Sequence, residues 1–217
     1  MNRHAALSVC LGLALSLAGC VPWTVRPIES AEEKQSQGRE RFNAASYVDS
    51  IWSSRLAPAI LDSAVDLRRL LTALEADAGG AARKYGQREG EGPFHFMVKG
   101  RGRVLAIDTR SRTGLISIDL APGDGKPDAF LEVGPVIRGT SLRDAVGFIR
   151  FGQFVNQLQF ADVANELNAR VLNSVVARLK LPTLPGKVVS FYGTFTLTPG
   201  SPAEIVPVQV NVEERGE

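Results

Sequence analysis

Two stretches of alternating apolar residues restrict the fold of this chain more than any other feature. In the first, Phe94, Phe96, Val98 and Val104 share one parity, with Gly100 and Gly102 between them. His95, Met97, Lys99, Arg101 and Arg103 take the other parity. Such alternation marks a strand with one face against a core. From Leu105 the apolar parity switches to Leu105 and Ile107, which predicts a bulge or barrel bend near Val104. Ser111 to Thr113 turn the chain, and Gly114, Ile116, Ile118 and Leu120 then face inward. In the second stretch Val189, Phe191, Gly193, Phe195 and Leu197 alternate. Pro199 to Pro202 turn the chain, and Val206, Val208, Val210 and Val212 follow. Pro207 lies on the opposite parity, where an edge position or a bulge is expected. Between the two stretches, Phe130 to Val133 reads as a short strand and Gly134-Pro135 as a turn. Val136 to Arg138 reads as a second short strand that stops at Gly139.

Helical spacing fills the rest. Tyr47, Val48, Ile51 and Trp52 share one helical face, with Ser46 as the expected cap and Pro58 as the expected end or kink. Val65, Leu67, Leu70, Leu71 and Leu74 form a second stripe that begins at Asp62 or Ser63 and stops at Ala78-Gly79-Gly80. Thr140 or Ser141 offers a hydroxyl cap to a short helix, with Asp144 as capping-box partner. Phe148, Phe151, Phe154 and Phe160 are four of the ten phenylalanines, so the densest core is expected there. The longest helix follows, capped by Asn156 or Gln157. The predicted class is α+β, with a small helical layer packed on a curved antiparallel sheet or a partly open β-barrel.

The amino terminus is of a different kind. Arg3 and His4 precede an apolar stretch, Ala5 to Leu17, which Leu17-Ala18-Gly19-Cys20 closes. This reads as a secretory signal, shorter than a span of about 20 apolar residues; the alternative is an uncleaved anchor that continues through Val21 and Trp23. Its last four residues are similar to the lipobox of bacterial lipoproteins. That similarity implies cleavage before Cys20, diacylation of its thiol and acylation of the new amino group. The expected organisation is a lipoprotein signal peptide over 1–19, a polar tether over 20–41, a helical part over 42–86 and a β-rich part with inserted helices over 93–213. Val21 in place of an aspartate after the cysteine leans toward the outer membrane.

Charge and cysteine count exclude several classes. The formal charge is +2, and removal of residues 1–19 takes away Arg3 and no acid, leaving 24 basic against 23 acidic residues. That balance argues against a nucleic-acid partner. Cys10 and Cys20 are the only cysteines, which leaves no disulfide framework and no cysteine-based zinc site in a cleaved chain. No cofactor or metal is expected.

The candidate residues are few. His95, the one histidine after cleavage, sits on the polar parity and reads as a surface residue, so a histidine-based catalytic site is not expected. Asp124 and Asp128 lie in a glycine-containing turn without calcium-loop spacing. Lys99, Arg101 and Arg103 read as a solvated strand face, the alternative being contact with anionic lipid headgroups or a negatively charged partner. The best candidate ligand site is Arg138-Gly139-Thr140-Ser141, where a planar cation, a glycine and a helix start coincide. The structural alternative has Arg138 or Arg143 paired with Asp144. A carboxylate pair of the glycosidase type stays open.

Three segments carry a wider resemblance: Phe42 to Trp52 (FNAASYVDSIW), Val133 to Asp144 (VGPVIRGTSLRD) and Gln159 to Asn168 (QFADVANELN). Over about Phe42 to Val212 the chain resembles a bacterial family of predicted periplasmic lipoproteins of unknown function. The resemblance implies a helical part beside an oligomer-binding-like (OB-like) barrel, and genes beside those of ribose-type sugar ABC transporters. It carries no catalytic residues. The expectation is a lipid-anchored, non-enzymatic accessory or binding protein, anchored to the membrane through Cys20. Its partner would be a sugar-like ligand or a sugar ABC transporter component. The alternative is a structural envelope protein acting through protein contacts.

Overall fold

A computed structural model describes residues 42–213; the expected signal peptide, Cys20 and the tether lie outside the described residues. Helix α1 (Ala44–Ile51) starts one turn earlier than Ser46 would have it. Its cap is Asn43, whose side chain accepts from the Ser46 amide at 2.9 Å. A regular helix would drive the Pro58 ring into the carbonyl of Ser54. The chain instead widens into a π-helical turn over Trp52–Leu56, and α2 (Ala57–Ser63) continues through the proline. A two-residue strand, β1 (Val65–Asp66), precedes α3 (Leu67–Ala76), which Asp66 caps rather than Asp62 or Ser63. The Gly79-Gly80 pair does not stop a helix. Asp77 does, and its carboxylate then accepts from the Gly80 amide at 2.9 Å to open α4 (Ala78–Tyr85).

The strands are β2 (His95–Asp108), β3 (Leu115–Leu120), β4 (Ala129–Glu132), β5 (Val188–Thr196) and β6 (Ala203–Glu213). Their order is β1-β2-β3-β4-β6-β5, and β5 pairs back onto β2. Five strands therefore form a barrel with helices packed on it, the α+β arrangement that the sequence predicts. The pairings are antiparallel except β4 with β6 and β1 with β2. Strand β2 serves both halves: its residues 95–103 pair with β5 and its residues 102–108 with β3. The register shift between Val104 and Ala106 is the bend that the parity switch predicts. Gly102 sits at that corner, where a Cβ would stand 2.5 Å from the Asp119 carbonyl oxygen. The shift at Tyr192/Gly193 opposite Pro207 places the proline at a bulge. Val136 to Arg138 do not form a strand; after Glu132 the chain leaves the barrel.

Between β4 and β5 lie α5 (Ser141–Asp144) and α6 (Gln157–Ser174), the latter capped by Asn156 through amides of Leu158 and Gln159. A five-stranded barrel of this strand order is the OB-fold. Two cores result. The barrel interior holds Phe96, Val98, Ile116, Ile118, Leu131, Phe191, Phe195 and Ile205, joined by Leu67 and Leu70 of α3. The outer core packs Val48, Trp52 and Ile60 with Val163, Leu167 and Val171 of α6 against Val206 and Val208 of β6.

The aromatic run is only partly core. Phe160 is buried on α6, whereas Phe154 is half-buried and Phe151 is 43 % exposed. The interval of three suggests a helix, but only a short 3₁₀ turn forms at Phe151–Gln153, so the three rings do not share one buried face.

Candidate functional site

The turn from Arg138 to Ser141 is committed to the fold. Gly139 adopts φ +85°, a left-handed conformation suited to glycine. Its carbonyl and that of Ile137 accept from Nδ2 of Asn168, at 3.0 and 3.3 Å. The Arg138 amide donates to Glu132 Oε2 at 3.4 Å. Ser141 is buried, with Oγ 3.0 Å from Thr194 Oγ1, and neither Thr140 nor Asp144 supplies the expected capping box. The Arg138 guanidinium is exposed and has no partner among the described residues. The four residues are thus brought together, but the Arg138 amide, the carbonyls of Gly139, Thr140 and Ser141 and the Ser141 hydroxyl are used internally, and α5 is a single turn.

The polar convergence lies at the other end of α5. Both oxygens of Asp144 accept from Arg143, Nε to Oδ1 at 2.7 Å and Nη2 to Oδ2 at 3.1 Å. The remaining arm of Arg143 donates to the Phe160 carbonyl at 2.9 Å, and its guanidinium lies 3.5 Å from the Phe160 ring centre. On the far side of Asp144 is His95, with Nε2 3.6 Å from Oδ2 and Nδ1 3.0 Å from Thr196 Oγ1. His95 is 4 % exposed, which corrects its reading as a surface residue. Its parity does place it on the outer barrel face, but the α5 connection covers that face here. Burial holds its pKa below the usual imidazole range, Arg143 adds to that effect and Asp144 opposes it.

Asp144 also lines a cleft of about 290 Å³ with Gln87, Arg88, Glu89, Ile149 and Arg150. Two segments meet there, residues 87–90 and 144–150. Gln87 is fixed by paired backbone bonds with His95, both 2.8 Å. Arg88 lies over the Phe94 ring at 4.7 Å. Arg150 donates from Nε to the Gly147 carbonyl at 3.0 Å, and Gly147 has φ +69°. The volume is near the lower end for small-ligand pockets, roughly 300 Å³. Two carboxylates, two guanidiniums and an amide present both donors and acceptors. No hydroxyl, thiol or imidazole lines the cleft. Sequence reasoning missed the site because its members come from two distant segments, residues 87–90 and 144–150, and meet only through the Gln87–His95 bridge.

The other candidates take their structural roles. Arg101 forms a bidentate pair with Glu213, at 2.7 and 2.6 Å, on an exposed face. Asp128 accepts from the Leu120 amide and Arg68, at 2.7 and 2.9 Å. Asp119 accepts from the amides of Asp124 and Gly125. Among the described residues, no group of three or more His, Cys, Asp or Glu could hold a metal ion, and no helix is long and apolar enough to cross a membrane.

Comparison with known proteins adds three findings. Residues 10–211 match the family described as "Predicted periplasmic lipoprotein (DUF2291)". No curated protein matches. The fold is similar to that of an OB-fold protein from Thermotoga maritima, with a TM-score of 0.65 and 22 % identity, over 79 % of this chain and 99 % of that one.

Proposed function

The chain belongs to the predicted periplasmic lipoprotein family, and from that premise we propose that it is a lipid-anchored, non-enzymatic binding protein of the periplasm. Cys20 holds it to the membrane, with the outer membrane favoured by Val21. A small hydroxyl-rich ligand of the sugar class occupies the cleft at Asp144 and links the protein to carbohydrate uptake by an ABC transporter. The observation that carries this reading is the convergence of Gln87, Arg88, Glu89, Asp144 and Arg150 on one cleft. Paired carboxylates and guanidiniums suit neighbouring hydroxyls, which both donate and accept. The engagement of both Asp144 oxygens by Arg143 favours binding over hydrolysis by a carboxylate pair. The test is calorimetric titration of the acylated protein with pentoses and hexoses, beside Glu89→Gln. Saturable heat in the parent and its loss in the variant support the reading; no heat from any sugar refutes it.

A second reading, a structural envelope protein acting through protein contacts, draws on the exposure of Phe151 and Val155.

A further inference from the structure

The exposed aromatic surface begins where the tether ends. Phe42 is the first described residue, and its ring meets Tyr47 at 6.0 Å and Phe154 at 5.6 Å. Phe154 touches Tyr47 at 5.6 Å and Phe160 at 5.5 Å, and Phe160 touches Phe151 at 5.7 Å. Phe160 is buried and backs the group, while Phe42, Tyr47 and Phe154 are half-exposed. Phe151 and Val155, the exposed large apolar residues of the described chain, stand at 43 % and 80 %. From Ala145 to Ala161 the one charged residue is Arg150, which is exposed.

We infer that this surface, Phe42, Tyr47, Phe151, Phe154 and Val155, rests in the headgroup region of the bilayer that holds the lipid anchor. The inference depends on the anchored reading above. The tether from Cys20 to Arg41 spans about 75 Å fully extended and roughly 25 Å as a coil, and it ends inside the aromatic group. This surface is therefore the part of the described fold nearest the anchor along the chain. Anchoring raises its effective concentration at the membrane without any new contact. Aromatic rings are suited to the headgroup level, and the segment from Ala145 to Ala161 carries no acid. Acyl chains supply the main attachment, so a modest apolar surface is enough to set the orientation.

The test places an environment-sensitive fluorophore at Val155→Cys in a Cys10→Ala chain, reconstituted in phosphatidylethanolamine–phosphatidylglycerol vesicles. Intact mass on the same sample reports acylation of Cys20. The expected result is a blue shift with quenching by nitroxide lipids, stronger from shallow than from deep positions, since interfacial groups sit roughly 5–10 Å into the boundary. The same fluorophore at Lys126→Cys, in the exposed loop after β3, stays unquenched. A label that is neither shifted nor quenched overturns the inference. So does one that is shifted but unquenched, which would mean that the tether or a second copy covers the patch. If Cys20 carries no lipid, the anchored reading fails by itself. The Cys20→Ala form is then added to vesicles, and the same quenching decides the patch. In that form Phe151→Asp weakens vesicle partition roughly ten- to a hundredfold, the range that burial of one phenylalanine represents, with the thermal midpoint kept. Unchanged partition contradicts the inference.

Discussion

His95 and Asp144 face each other across the junction of barrel and α5, with Nε2 3.6 Å from Oδ2. That distance is too long for a hydrogen bond. His95 therefore enters the junction as a buried imidazole held by Thr196, while Asp144 is held by Arg143. The arrangement lets a barrel strand support the floor of the cleft, and it ties stability to pH in a definite direction. Because burial lowers the folded pKa of His95, the unfolded chain binds the proton first as pH falls. Stability rises with pH below the unfolded value of about 6.5 and is lost as pH drops through the folded value. Urea titration of His95→Gln should show a flatter dependence than the parent between pH 7 and pH 5. An unchanged slope would place the titration elsewhere.

Glu132 has the opposite sign. Burial raises its carboxyl pKa to about 7, Glu204 adds to the rise, and the Arg138 amide opposes it. The folded chain keeps a proton that the unfolded chain has released, so stability falls as pH rises from about 4.5 to 7. Glu132→Gln should therefore stabilise the protein by roughly 2–3 kcal/mol at pH 8 and by little at pH 5. Denaturant midpoints at the two pH values check it. An equal effect at both would mean that Glu132 does not titrate with folding.

Asn168, rather than Arg138, should hold the turn after β4. Asn168→Ala leaves the carbonyls of Ile137 and Gly139 without their donor and should cost roughly 1–3 kcal/mol. Arg138→Ala, at an exposed position without a partner among the described residues, should stay within about 0.5 kcal/mol. The reverse order in thermal unfolding would restore the importance of the arginine.

The two ends of the aromatic group should differ as their burial does. Phe160→Ala empties a packed position under Arg143 and should cost about 3–5 kcal/mol. Phe151→Ala should cost less than about 1 kcal/mol. Equal losses by chemical denaturation would show that Phe151 is a core residue.

Much of the barrel was legible because period-two patterns report which face is buried. The alternation around Phe96 and Phe191, the bend at Val104 and the bulge at Pro207 all follow from it. Parity cannot say what covers the outer face, and so His95 read as solvent-facing. Helix ends were less legible, since Asn43 and Asp66 compete with nearby hydroxyl and acidic residues as caps and only geometry selects among them. The Arg138 turn drew attention for its chemistry, yet the donor that occupies its carbonyls, Asn168, is 29 residues away from Gly139. The cleft was not legible, because Gln87 and Glu89 come beside Asp144 only where Gln87 pairs with His95 and His95 packs on Asp144.

The most direct test of the binding account is the thermal midpoint of the acylated protein with and without pentoses and hexoses, run beside Glu89→Gln. Glu89 is exposed on the cleft rim, so the variant keeps the fold. A ligand at 100 times its dissociation constant stabilises by about 2.7 kcal/mol, a rise of roughly 5–10 °C for a chain of this length. The account predicts such a rise for at least one sugar in the parent and a clearly smaller one in Glu89→Gln. No rise with any sugar, or an equal rise in both proteins, would contradict it.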